Sequence, residues 1–165
     1  MRVAIIYYSK TGRTKHVATY IKERLEENKI ETDLFELKHV RDYFDKFLHF
    51  NPRLIYETLS KKIVKIHGIE NFNPNLYDVI IIGSPIWFGT IVPAIRTFLH
   101  MFKEKINTPI ICFTTSTLHS NYSLKFKKIL ESMEYNVIFH FTIVSLEEEK
   151  HIINEVISIV KKQFR

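Results

Sequence analysis

The chain has 165 residues, 45% of them hydrophobic, and carries a net charge of +6. That length supports one domain with a substantial core, and the apolar fraction excludes a disordered chain. A single cysteine excludes an intramolecular disulfide and fits a reducing compartment, and the N-terminal apolar run is too short for a signal segment or a membrane span, so a soluble cytoplasmic protein is expected.

Val3–Tyr8 is a continuous apolar run, the pattern of a strand buried on both faces. Ser9-Lys10-Thr11-Gly12-Arg13-Thr14 follows it and opens a helical pattern over Lys15–Asn28, with Val17, Ala18, Ile21 and Leu25 on one face. A buried strand that turns into a helix through hydroxyl residues and one Gly is a candidate anion cradle. Unpaired N–H groups at a helix start carry the positive end of the helix dipole. Ser9, Thr11 and Thr14 add hydroxyl donors, and Gly12 lets backbone approach a ligand. An ordinary turn capped by hydroxyls fits this segment equally well.

Thr32–Leu37 alternates as a second strand. The stretch Asp42–His67 is aromatic and basic, with Tyr43, Phe44, Phe47, Phe50 and Tyr56, and Pro52 suits the first turn of a new helix. From Lys38 to His67 there are seven Lys or Arg against three Asp or Glu. Such a patch steers acidic partners, although patterning alone favours a solvated helix face. Gly68–Leu76 reads as loop and Tyr77–Gly83 as the next strand. Ser84–Thr90 is a Pro-, Gly- and aromatic-rich loop, followed by a helix over Val92–Lys103. Pro109–Phe113 is a fourth strand, Thr114–Asn121 a hydroxyl-rich loop, Tyr122–Met133 a helix and Asn136–Val144 the last strand. Ser145 and Glu148 have capping-box spacing for a final helix, whose acidic start at Glu147–Glu149 and basic end at Lys161–Lys162 suit its dipole.

Five strands alternating with helices predict a parallel sheet covered on both faces. In such a sheet the ligand sits at the carboxyl ends of the strands where the winding reverses, so the loops Ser9–Thr14, Ser84–Thr90 and Thr114–Asn121 are expected to meet. Gly83-Ser84-Pro85-Ile86-Trp87-Phe88-Gly89 places the only Trp of the chain at the end of a central strand. Large rings there either stack on a flat ligand or plug the core beneath the loop.

Together these two stretches resemble the flavodoxin family, whose phosphate loop is a Ser/Thr-x-Thr-Gly-x-Thr run after the first strand. Ser9–Thr14 matches at every specified position, and Asp78–Leu99, with Pro93-Ala94-Ile95-Arg96-Thr97-Phe98-Leu99, is similar to short-chain prokaryotic flavodoxin-like proteins. The resemblance covers about two-thirds of the chain. It implies a three-layer sandwich on a five-stranded parallel sheet of order 2-1-3-4-5, one domain throughout, with the basic helical insert at 42–67. It also implies FMN held non-covalently, its phosphate by Ser9, Lys10, Thr11, Gly12, Arg13 and Thr14 and its ring by Pro85, Ile86, Trp87, Phe88 and Gly89. Trp87 is the first choice for the stacking ring and Phe88 the second. Thr115, Ser116 and Thr117 would bond the pyrimidine edge, although close relatives often carry Gly and Cys in that loop.

The implied function is electron transfer by FMN. The alternatives are an NAD(P)H- or quinone-linked FMN oxidoreductase, or a binding module that kept the fold and lost the flavin. The implied partner is a redox protein, acidic in character, docking near the flavin edge or the basic insert; neither nucleic acid nor membrane is expected, and monomer and homodimer both stay open. With Lys10 and Arg13 beside the phosphate, the second reduction of the ring is expected to be easier than in an acidic relative.

Other proteins share this winding, and fold does not settle function. A phosphoacceptor receiver needs clustered Asp after the first strand, where Tyr7 and Tyr8 stand. A low-molecular-weight phosphatase needs an Arg six residues after its Cys; from Cys112 that position is Leu118. Neither a Walker loop nor a Gly-x-Gly-x-x-Gly run is present. The histidines form no spaced metal set, and only His16 lies beside the phosphate loop.

Overall fold

The computed structural model of the chain describes residues 1–41 and 51–163, without the side chains of 146–148. Five long strands, β1 (Arg2–Tyr8), β2 (Glu31–His39), β4 (Val79–Trp87), β6 (Ile110–Thr115) and β7 (Val137–Ile143), run parallel in the order β2-β1-β4-β6-β7. This is the expected 2-1-3-4-5 winding. Two short antiparallel strands extend it: β3 (Ile66–His67) pairs with the end of β2, and β5 (Thr90–Ile91) folds back on the end of β4.

Alternation along each strand builds two cores. Ala4, Ile6 and Tyr8 of β1, Ile80 and Ile82 of β4, and Ile110 and Cys112 of β6 face one layer. That layer holds α2 (Pro52–Leu59), α3 (Pro93–Phe102) and α4 (Tyr122–Ser132). Val3, Ile5 and Tyr7, Val79 and Ile81, and Ile111 and Phe113 face the other, against α1 (Arg13–Glu27) and α5 (Leu146–Lys162). A parallel sheet covered on both faces needs apolar residues at every position of its central strands, and β1 and β4 have them. Cys112 is fully buried, and burial pushes its thiol up to about 12, the state of an inert core residue.

Two expectations are corrected. Ser84–Trp87 is strand and not loop: Ser84 and Pro85 stay in register with Thr114 and Thr115 of β6, and Ile86 and Trp87 pair with Ile91 and Thr90. The two-residue turn between them, Phe88-Gly89, has φ of 49° and 76°, the signature of a type I′ hairpin. Ser145 does occupy the N-cap of α5, but its side chain makes no cap bond, so its half of the expected capping box is missing; the Glu148 side chain lies outside the described residues.

Within the insert, the helix at Pro52 is present. It is capped by the Asn51 side chain, which accepts from the N–H groups of Arg53 and Leu54 at 3.0 and 3.3 Å. Leu54 is buried in the core, while Tyr56 is exposed. Between that helix and His67 the chain is loop and the short strand β3. The aromatic positions expected on its helices, Tyr43, Phe44, Phe47 and Phe50, lie outside the described residues. Among the described residues no helix is long and apolar enough to cross a membrane.

Candidate functional site

β1, β4 and β6 are neighbours and parallel, so the segments that leave their carboxyl ends converge. A cleft of about 230 Å³ lies there, lined by Lys10, Thr11, Arg13 and Thr14, by Pro85, Ile86 and Trp87, and by Thr115, Ser116 and Thr117. Every lining residue belongs to the set read from the sequence. Ser9, Gly12, Phe88 and Gly89 of that set do not line it.

The floor of the cleft is the start of α1. Gly12 stands at its N-cap with φ of 88°, no side chain caps the helix there, and a Cβ on Gly12 would meet nothing within 4 Å. The first N–H groups of α1 therefore lack the usual side-chain partner, on the side where the helix dipole is positive. Ser9 Oγ is buried and has no hydrogen-bond partner. A buried hydroxyl without a partner costs about 1–3 kcal/mol, so such an atom in a loop that faces a cleft points to a missing acceptor. Lys10 and Arg13 line the cleft, and among the described residues no carboxylate does.

Thr14 does less for a ligand than its place in the motif suggests. It is buried, and its hydroxyl shares a 2.8 Å bond with the hydroxyl of Thr115. That bond holds the end of β6 against the first turn of α1. The Arg13 guanidinium donates to the Val144 carbonyl, which fixes it to the β7–α5 junction. The Ser116 hydroxyl accepts from the Leu118 N–H at 3.1 Å and closes a tight turn, leaving Thr117 exposed.

The two rings of the hairpin are placed differently. Trp87 is 5% exposed, and its indole meets Tyr8 edge to face at 5.5 Å between centroids. It is both core and cleft wall. Phe88 is 39% exposed at the tip of the turn. A bulky residue at positive φ is uncommon and marks backbone held under strain, which a functional loop tolerates.

The sequence matches the flavodoxin family model over residues 2–138. The chain belongs to the flavodoxin family. Its sequence has no match among curated proteins. Among solved structures, this flavodoxin-family chain is similar to a flavoprotein from Lactobacillus acidophilus, determined in complex with FMN. The identity is 26% over 86% of this chain and 92% of that one, with a TM-score of 0.70. It is also similar to a Bacteroides eggerthii protein assigned as a flavoprotein (22% identity, 96% and 98% coverage, TM-score 0.76). A flavodoxin from the domain Archaea matches over both whole chains at 12% identity and a TM-score of 0.63, which is likeness of fold alone.

Several contacts around the flavodoxin-family cleft escaped the sequence reading, although the sequence itself places His16 beside the phosphate loop. His16, in the first turn of α1, reaches Glu149 of α5 at 3.5 Å. Glu149 is buried, its Oε1 has no partner, and burial raises its pKa while His16 opposes the rise. Val144 and Tyr8 were also unforeseen as partners of Arg13 and Trp87. Each of these contacts joins segments far apart in the chain, and no local pattern encodes them.

Further along the same edge of the sheet, Val40, Arg41, Arg53, Glu57, Lys62, Ile63, Val64 and Lys65 border a larger cleft of about 410 Å³. Arg41, Arg53, Lys62 and Lys65 are exposed on it, so the rim is basic. Among the described residues no cluster of three His, Cys, Asp or Glu is placed to hold a metal.

Proposed function

We propose that this chain binds FMN non-covalently in the cleft and carries electrons in the cytoplasm, as a shuttle or a small oxidoreductase. The observation that supports this best is the meeting of three elements in one cleft: the uncapped start of α1, the Pro85–Trp87 wall, and the Thr115–Thr117 turn. The orphaned Ser9 hydroxyl fits a phosphate oxygen, and Lys10 and Arg13 fit its double negative charge.

FMN supplies the redox chemistry, taking up and giving back one or two electrons on its ring. The chain's residues do the rest. Ser9, Thr11 and the N–H groups of Gly12–Thr14 grip the phosphate. Pro85, Ile86 and Trp87 present an apolar wall to the ring and keep water from that face, with Phe88 and Gly89 at its rim. Gly89, at φ of 76° with open space around its Cα, allows the turn to reorient its peptide toward the ring. Thr115, Ser116 and Thr117 offer hydroxyl and backbone bonds to the pyrimidine edge. No general base or nucleophile is needed.

The basic rim of Arg41, Arg53, Lys62 and Lys65 lies toward the ligand edge of the sheet and suits an acidic redox partner. The test is electron delivery from the FMN-loaded, reduced chain to acidic and basic acceptor proteins over a salt series. Faster transfer to the acidic acceptor, lost as salt rises and lost when Arg53 and Lys62 become Glu, supports the reading. A rate indifferent to salt and to those changes removes the docking surface. No transfer to any acceptor removes the carrier function.

A further inference from the structure

Arg96 lies in the first turn of α3, where it is only 5% exposed. Its Nη1 donates to the Thr58 carbonyl at 3.4 Å and its Nη2 to Thr90 Oγ1 at 3.3 Å. Both are long bonds to neutral oxygens, and a guanidinium has five N–H groups to satisfy. Among the described residues no carboxylate pairs with it, and burial alone pulls down its hold on the proton. An arginine nevertheless stays charged at any working pH.

A buried cation without a counter-charge is costly, and an apolar side chain of similar size would serve packing better. Its neighbours on α3, namely Ala94, Ile95, Phe98 and Leu99, are fully buried apolar residues. Arg96 therefore stands out in the most apolar helix of the fold. What it touches is telling. Thr90 belongs to β5 and pairs directly with Trp87 across the hairpin, and Trp87 walls the cleft. The charge is held dry against the hairpin whose Trp87 walls the cleft, and Thr90, which it contacts, lies on the same face as Trp87. In a water-excluded setting a single charge acts over a longer range than at a surface.

We propose that Arg96 sets the reduction potential of this site: its unneutralised charge, buried against the β4–β5 hairpin, favours the reduced, anionic flavin over the oxidised, neutral one. The inference rests on FMN occupying the cleft. Arg96 touches neither the ring nor the phosphate loop, so its effect on oxidised flavin is small.

The test is a spectroscopic redox titration of the FMN-loaded wild type, R96Q and R96K across pH 6 to 8, with affinities for oxidised FMN measured alongside. R96Q is expected to hold oxidised FMN within about twofold of wild type and reduced FMN about tenfold more weakly, a fall in potential. Its reduced ring should also take up a proton at higher pH than in wild type, which a merely structural role would not cause. R96K keeps the charge and is expected to stay close to wild type in both respects. An unchanged potential in R96Q overturns the proposal. So does an R96K potential as low as that of R96Q, since the bonds to Thr58 and Thr90 would then matter and the charge would not. If R96Q does not fold, R96M, which removes the charge and keeps an apolar side chain of similar length, decides on the same criterion. A wild-type chain that takes up no FMN overturns the functional reading and this inference with it; potentials alike in three FMN-loaded proteins overturn this inference alone.

Discussion

Replacing Ser9 with Ala should change stability in opposite directions with and without FMN. In the ligand-free chain the Ser9 hydroxyl is buried without a partner, so its removal relieves a desolvation penalty on the order of 1–3 kcal/mol. After allowance for local relaxation, a gain of about 1 kcal/mol is expected, or a rise in Tm of about 2–4 °C for a chain this long. With FMN bound, the same hydroxyl donates to a phosphate oxygen, and a bond to a charged group is worth about 1.5–3 kcal/mol. Affinity for FMN should then fall about ten- to a hundredfold. At an FMN concentration a hundredfold above the wild-type Kd, ligand stabilises the wild type by about 2.7 kcal/mol, and a tenfold weaker variant by roughly half that. The assay is thermal unfolding of S9A and wild type, each alone, with FMN and with riboflavin, which lacks the phosphate. S9A should be the more stable protein alone, should gain less from FMN, and should respond to riboflavin as wild type does. The reasoning fails if S9A is destabilised alone, or if it loses riboflavin and FMN affinity by the same factor.

Breaking the Thr14–Thr115 hydroxyl pair with either T14V or T115V should cost about 1–3 kcal/mol, because each leaves a buried hydroxyl alone. The double variant should recover most of that loss, which a denaturant double-mutant cycle reads directly. Glu149 is pulled toward its protonated form by burial. Its contribution to stability is therefore fullest below the unfolded carboxyl pKa and declines as pH rises through the higher folded value. E149Q should flatten the fall in Tm between acidic and neutral pH relative to wild type; identical pH profiles would place Glu149 outside this balance. Ile81, fully buried at the centre of β4, should cost about 2–5 kcal/mol as I81A, with the change seen in the urea midpoint at an unaltered m-value.

Much of this was legible in the sequence because the central strands are buried on both faces. Val3–Tyr8 and Val79–Ile82 had to be unbroken apolar runs, and the helices between them fixed parallel pairing. The hydroxyl loop was legible because its chemistry is local: a strand end, a Gly that accepts positive φ, and a helix start. Trp87 was placed in a loop because Pro85, Gly89 and two large aromatics look like connecting chain. Its strand exists through pairing with Thr90 and Ile91, and that pairing needs Phe88 to accept φ of 49°, which composition does not foretell. The Thr14 hydroxyl looks like a ligand donor in the sequence, since the motif shows the residue and not Thr115 opposite it. Arg13 and Val144 are 131 positions apart, and His16 and Glu149 meet across two helices. Contacts of that kind arise from the winding of the chain and not from any window of it.

The most direct measurement is the identity of the molecule that the purified chain binds. The protein is expected to be yellow, to release FMN on denaturation in a ratio near one to one by absorbance and mass, and to prefer FMN to riboflavin when emptied and refilled. A colourless protein that takes up no added FMN, or one that takes riboflavin as tightly as FMN, would contradict a phosphate held by the turn from Ser9 to Thr14.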